Sequence, residues 1–161
     1  WTTVERSSEE TLALYEAAPA ALDTGIAGLD DDGIDLRQNA ASWSIRQIVH
    51  HLADAEVVTL GRLMYALAEP GRQYTGNAFS PDAWATGLDY AGRDITPAVV
   101  LFRAIRLQTG QLIRHIPDAW NRTTINPDGV RSSAGATIGM LASHALEHIE
   151  EIHEIRRLHE V

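Results

Sequence analysis

The chain has no cysteine and no lysine; all 13 of its basic residues are arginine. The first absence excludes disulfides, thiolate metal sites and a cysteine nucleophile. The second excludes a Schiff-base lysine and the lysine of a phosphate-binding loop. Positive charge is scarce as well. The 22 acids leave a formal charge of −9, the wrong sign for nucleic acid or an anionic membrane surface as partner. No apolar run approaches the roughly 20 residues that span a bilayer. Trp1 to Arg6 lack the basic-then-apolar order of a secretion signal, so a cytoplasmic protein is expected.

What the chain does have is enough for one core. Its 161 residues, 45% apolar and 22% charged, fit a single domain over 1–161 rather than a disordered chain. Helical spacing dominates. Ser7-Ser8-Glu9-Glu10 offers a capping box, and Leu12, Tyr15, Ala18, Leu22 and Ile26 follow one face. Pro19 falls inside that pattern and is expected to kink or break it. A second box, Ser44 to Gln47 behind Trp43, opens a helix that runs to Glu69, close to ~40 Å of rise. Thr96-Pro97 starts a third helix, with Thr96 as its cap, that runs to Ile116. The last begins near Thr137 and continues to the C-terminus.

Two connections are long. Residues 70–96 carry Pro70, Gly71, Gly76, Pro81, Gly87 and Gly92, with one helical turn expected at Pro81 to Trp84. Residues 117–136 form a loop whose strongest turn is Asn126-Pro127-Asp128-Gly129. No repeat and no strand signal is visible. The fold class is all-α: a four-helix bundle with a long crossover between helices two and three.

Seven histidines remain to be placed. His144 and His148 are four apart on the last helix, so both rings leave one face. With Leu141, Ala145, Ile149 and Ile152 as the apolar stripe, His148 lies in it and His144 at its edge. Such a pair can chelate one metal ion, although the spacing is common on ordinary helices and an open catalytic site needs three ligands. On helix two, His51 borders the stripe of Ile48, Leu52 and Ala55, while His50 faces away, as a surface or ring-orienting residue. His51 is therefore the better third ligand. Asp54, one turn on, could orient its ring or stand as a solvated surface acid. His115 is expected to complement a helix dipole, and His159 to be solvated. Trp43 is expected as a hydrophobic staple, and Trp84 as a pocket wall or a plug.

Ser42-Trp43-Ser44-Ile45-Arg46-Gln47-Ile48-Val49-His50-His51-Leu52-Ala53-Asp54 resembles the signature helix of the DinB/YfiT-like family. Asn126-Pro127-Asp128 with His144-x-x-x-His148-Ile149 is similar to the closing half of that signature. The resemblance covers most of the chain and implies an up-down-down-up bundle. It also implies a divalent metal, zinc or nickel, on His51, His144 and His148. The activity it implies is either metal-dependent hydrolysis or transfer by a low-molecular-weight thiol co-substrate such as bacillithiol or mycothiol. The chain departs from the YfiT-like pattern at Ala55-Glu56 and carries Glu147 and Glu151 in a segment that is His-rich there.

His144-Ala145-Leu146-Glu147-His148 also fits the inverted zincin motif, in which Glu147 would be general base of a small peptidase. A non-catalytic bundle that binds metal or a small molecule is the remaining alternative. The expected partners are a small-molecule substrate and a second copy of the chain in a homodimer, with no nucleic acid and no membrane.

Overall fold

The capping boxes open two of the long helices. In the computed structural model, which describes residues 6–76 and 78–161, Ser7 Oγ accepts the Glu10 N–H and Glu10 returns a carboxylate oxygen to the Ser7 N–H. They open α1 (Ser8–Ile26). Residues 1–5, which carry the reading of the N-terminal segment, lie outside the described residues, as does residue 77. A separate short turn follows α1. Asp30 caps its own turn, α2 (Asp31–Ile34), through a 2.9 Å bond to the Gly33 N–H. Ser44 and Gln47 exchange the second pair of bonds and start α3 (Ile45–Ala68).

The crossover contains α4 (Pro81–Gly87), capped by Ser80. α5 (Thr96–His115) follows, with Pro97 in its first turn. Thr96 is not the cap: it is already helical, and Asp94, two residues earlier, accepts its N–H at 2.8 Å. A 3-10 turn (Ala119–Asn121) leads to β1 (Thr123–Ile125) and β2 (Arg131–Ser133), which pair antiparallel with Thr124 opposite Ser132. Among the described residues these strands, with two isolated bridges, Arg37 to Ser44 and Gln73 to Ile125, depart from an all-helical reading. At three residues each, they are too short to show a period of two. The Asn126 to Gly129 turn forms their tip, with Gly129 at φ +82° and Asn126 Oδ1 accepting the Val130 N–H at 2.8 Å. Finally α6 (Ala134–His159) runs back along the molecule.

Round the bundle the order is α1, α5, α3, α6. The C-terminal ends of α3 and α5 meet at one end, where the Gly71 N–H donates to Thr123 O. α6 begins at that end, the Ala134 N–H donating to Arg122 O, and α1 begins beside it, with Thr11 next to Gly139. The directions are therefore up-down-down-up. Among the described residues no helix is long and apolar enough to cross a membrane.

Two apolar clusters fill the bundle. One is built on Leu22, Ile48, Leu52, Phe102, Ile149 and Ile152, the other on Leu12, Leu63, Leu67, Ile138 and Leu141. Between them lies a polar layer. Arg106 and Glu56, each 1% exposed, form an ion pair. Arg106 Nε donates to Glu56 at 2.8 Å, and its two terminal nitrogens donate to Tyr15 O at 2.6 Å and Leu141 O at 2.9 Å. The Tyr15 hydroxyl donates to the other Glu56 oxygen at 2.9 Å. Burial pushes the Glu56 carboxyl up, and the Arg106 guanidinium opposes it.

That layer explains Pro19. A proline removes the N–H that would satisfy the carbonyl four residues earlier, and here that carbonyl belongs to Tyr15. The Arg106 guanidinium takes it instead, and α1 continues unbroken through Pro19.

Removing the guanidinium leaves Glu56 buried without a counter-charge and Tyr15 O without that donor. Arg106→Met should cost about 3–5 kcal/mol in urea unfolding. Pro19→Ala restores an N–H for Tyr15 O, so it should help the Arg106→Met protein about 1 kcal/mol more than it helps the parent. A cycle with no coupling would show that Arg106 does not replace the missing bond.

Candidate metal centre

Three imidazoles converge beside the polar layer. His51 comes from α3, and His144 and His148 come from one face of α6. One nitrogen from each lies within 4.8 Å of the others. The Nε2 atoms of His51 and His144 are 2.9 Å apart. His51 is 4% exposed; the other two are half-buried.

Each ring is held differently. His148 Nδ1 bonds a Glu151 oxygen at 3.0 Å, which leaves Nε2 as the nitrogen with the free lone pair. His51 is held by packing: Trp43 meets its ring edge-on at 4.9 Å and Phe79 stacks on it at 5.9 Å. Its Nδ1 is buried with no hydrogen-bond partner among the described residues.

Electrostatics keep two of the rings neutral. Burial first, then His148 and His144, push His51 down to about 3. Burial, then His148 and the Arg106 guanidinium, push His144 down to about 4. Neutral rings that converge without a carboxylate or thiolate suit zinc, nickel, copper or iron rather than magnesium or calcium.

The other sequence candidates lie elsewhere. Asp54 does not orient His51; its carboxylate accepts the Tyr90 hydroxyl at 2.5 Å. His50 is not a surface residue: it is 1% exposed, stacked on Tyr90 at 5.4 Å, with Nε2 donating to Arg93 O. This His50-Tyr90-Asp54 group ties the crossover to α3. Glu147 is exposed. His115 is exposed in the last turn of α5, and His159 is exposed as expected, with its Nε2 also donating to Arg37 O at 2.9 Å.

A pocket of about 960 Å³ opens onto His51 and His144. Its wall includes Phe79 from the crossover and Asp128 and Arg131 from the hairpin. The crossover and hairpin are joined, the Tyr74 N–H donating to Ile125 O and the Ile125 N–H to Arg72 O. Trp84 does not line the pocket; it packs against Phe79 at 4.9 Å and backs the wall. Glu151 and Phe79 are the site residues that spacing had not assigned. Glu151 was reachable through its three-residue offset from His148, whereas a loop phenylalanine leaves no periodic signal.

The sign of the pH dependence follows. In the unfolded chain these histidines titrate near ~6.5, but in the fold His51 and His144 stay neutral to about 3 and 4. Below pH ~6.5 the unfolded state binds more protons, so folding loses stability as pH falls towards 4. The urea midpoint of metal-free protein should drop from pH 7 to 5, and less so for His51→Asn with His144→Asn. A midpoint flat over that range in the parent would contradict the neutral, buried rings.

A family model described as the DinB superfamily matches residues 14–152. A Geobacillus kaustophilus protein, provisionally named a metal-dependent hydrolase, is 24% identical over 151 residues, covering 92% of this chain and 84% of its own. An Oceanobacillus iheyensis protein of the same provisional name is 28% identical over 138 residues, covering 85% and 78%. Among solved structures, YfiT from Bacillus subtilis, described as a probable metal-dependent hydrolase with an unusual four-helix bundle topology, superposes with a TM-score of 0.83. It is 23% identical, with 99% of this chain and 93% of that one covered. A mycothiol-dependent maleylpyruvate isomerase superposes with a TM-score of 0.67 at 16% identity, over 91% of this chain but 61% of that longer one. With the family model spanning most of its length, the chain belongs to the DinB superfamily.

Proposed function

We propose that His51, His144 and His148 hold a divalent transition metal, zinc or nickel, and that the protein is a transferase joining a small thiol to a small electrophilic molecule. The metal supplies Lewis acidity: it would keep a bound thiol as thiolate at neutral pH. The chain has no cysteine of its own, so the sulfur comes from a co-substrate. In the transfer the sulfur–carbon bond forms, the displaced group leaves with its electron pair, and the thiol proton passes to solvent or to that group.

The observation that favours transfer over hydrolysis is where the carboxylates are. A hydrolase of this kind gains from a general base beside the attacking water. Asp54 is bound to Tyr90, Glu151 to His148, and Glu147 faces solvent. Asp128, at the hairpin tip, is the one acid in the pocket wall among the described residues. A thiol whose proton the metal would help to release would need no such base. The same placement counts against the peptidase reading, which requires Glu147 at the metal. The names of the curated relatives support metal dependence and leave hydrolysis as the second reading.

The protein's own groups do the positioning. Glu151 sets the tautomer of His148, Trp43 and Phe79 fix the plane of His51, and the Arg106 charge helps keep His144 unprotonated.

Metal analysis of protein purified without a nickel column should find close to one zinc or nickel per chain. His51→Ala, His144→Ala and His148→Ala should each weaken zinc binding by more than about a hundredfold while helix content persists. A screen of thiols against alkylating electrophiles should show metal-dependent thiol consumption matched by conjugate. Ester or amide hydrolysis without any thiol requirement, lost in His144→Ala, would replace this reading with the hydrolase. Metal binding with neither activity would leave a binding module.

A further inference from the structure

The pocket is longer than the metal centre needs. Ala55, Val58, Thr59 and Arg62 continue the His51 line along α3, and all of them line it. Eleven residues are three turns and about 20°, so Arg62 lies on nearly the same face as His51, roughly 16 Å further along the axis. Helical side chains lean towards the N-terminus, here towards the histidines, which shortens the gap.

What sets Arg62 apart is its place in the pocket wall, since six of the thirteen arginines are paired with acids and it is not. Arg46, Arg72, Arg103, Arg106, Arg114 and Arg157 each hold a carboxylate. Arg62 is half-buried in the wall, with no ion-pair or hydrogen-bond partner among the described residues. Arg131, exposed across the pocket on β2, has among the described residues only a 3.4 Å bond to the Thr123 hydroxyl. In a chain of charge −9, acids are plentiful, yet the wall offers these two guanidinium groups against Asp128. A guanidinium partly withdrawn from water and left without a counter-charge is costly unless something arrives to pair with it.

We infer that the groove takes an elongated small molecule with a metal-seeking group at the histidine end and a carboxylate at the Arg62 end, where Arg131 reinforces the charge. This inference rests on the metal reading for one end only. Planar, bidentate pairing is what a guanidinium offers a carboxylate. The apolar stretch between, floored by Ala55 and Val58 and walled by Phe79, fits a chain or ring rather than a second charge. The carboxylate therefore selects the molecule, while the metal end activates it.

The test uses matched probes, 8-mercaptooctanoate, 8-mercaptooctanol and plain octanoate. Each is titrated calorimetrically into zinc-loaded and metal-free protein, for the parent, Arg62→Gln and Arg131→Gln. Parent protein should bind the mercapto acid about tenfold tighter than the mercapto alcohol. In Arg62→Gln the ratio should fall to about twofold or less, with the alcohol unchanged. Arg62→Lys should keep part of it. Arg131→Gln should lower the ratio by a smaller factor. Equal binding of acid and alcohol to the parent, no binding of the acid in either metal state, or a preference that survives Arg62→Gln would overturn the inference. The zinc dependence reports separately on the other end. If the mercapto acid binds no tighter than octanoate to zinc-loaded protein, the thiol reading fails; an acid-over-alcohol preference lost in Arg62→Gln still supports the groove.

Discussion

One buried ion pair touches every long helix of the molecule. Arg106 of α5 meets Glu56 of α3, the Tyr15 carbonyl of α1 and the Leu141 carbonyl of α6. Apolar packing would hold four helices together in several registers, but a guanidinium with three fixed directions accepts few. The register matters because the metal candidates come from different helices. His51 sits five residues before Glu56 and His144 three after Leu141, so the same contacts that satisfy Arg106 bring the two rings to 2.9 Å. The charge also acts directly, lowering the affinity of His144 for a proton.

The crossover has a comparable double role. Running α3 and α5 in parallel requires a long return, and the return is used as wall. Its far end is anchored to α3 by Tyr90, which is fully buried, donates to Asp54 and stacks on His50. Its near end pairs with β1. Between those anchors Phe79 is laid against His51, with Trp84 behind it. The His50-His51 doublet thus divides its labour: one ring pins the strap and the next faces the pocket.

The long helices were legible because each has a chemical start signal and an apolar face, and the up-down-down-up order was legible through family resemblance. The convergence of His51 with His144 and His148 was legible because helical geometry fixes which residues share a face. What escaped was tertiary. Pro19 reads as a break until the donor that replaces its N–H is known, and that donor is 87 residues away. His50 reads as a surface residue because the apolar stripe faces the other way; the crossover that buries it leaves no periodic trace. Asp54 reads as a partner for His51 because one turn separates them, yet a tyrosine from the crossover claims its carboxylate. Arg106 looks like any arginine on a helix, and only packing shows it in the core.

The proposed function stands on His51, His144 and His148 together taking one transition-metal ion, with part of its coordination sphere left open. X-ray absorption of zinc-loaded protein tests this most directly. The account predicts three imidazole nitrogens near ~2.0–2.1 Å, with the rest of the shell from light-atom solvent ligands. One of these should be exchanged for a sulfur near ~2.3 Å when a small thiol is added. A shell dominated by carboxylate oxygen, or a closed four-imidazole site unchanged by thiol, would contradict it.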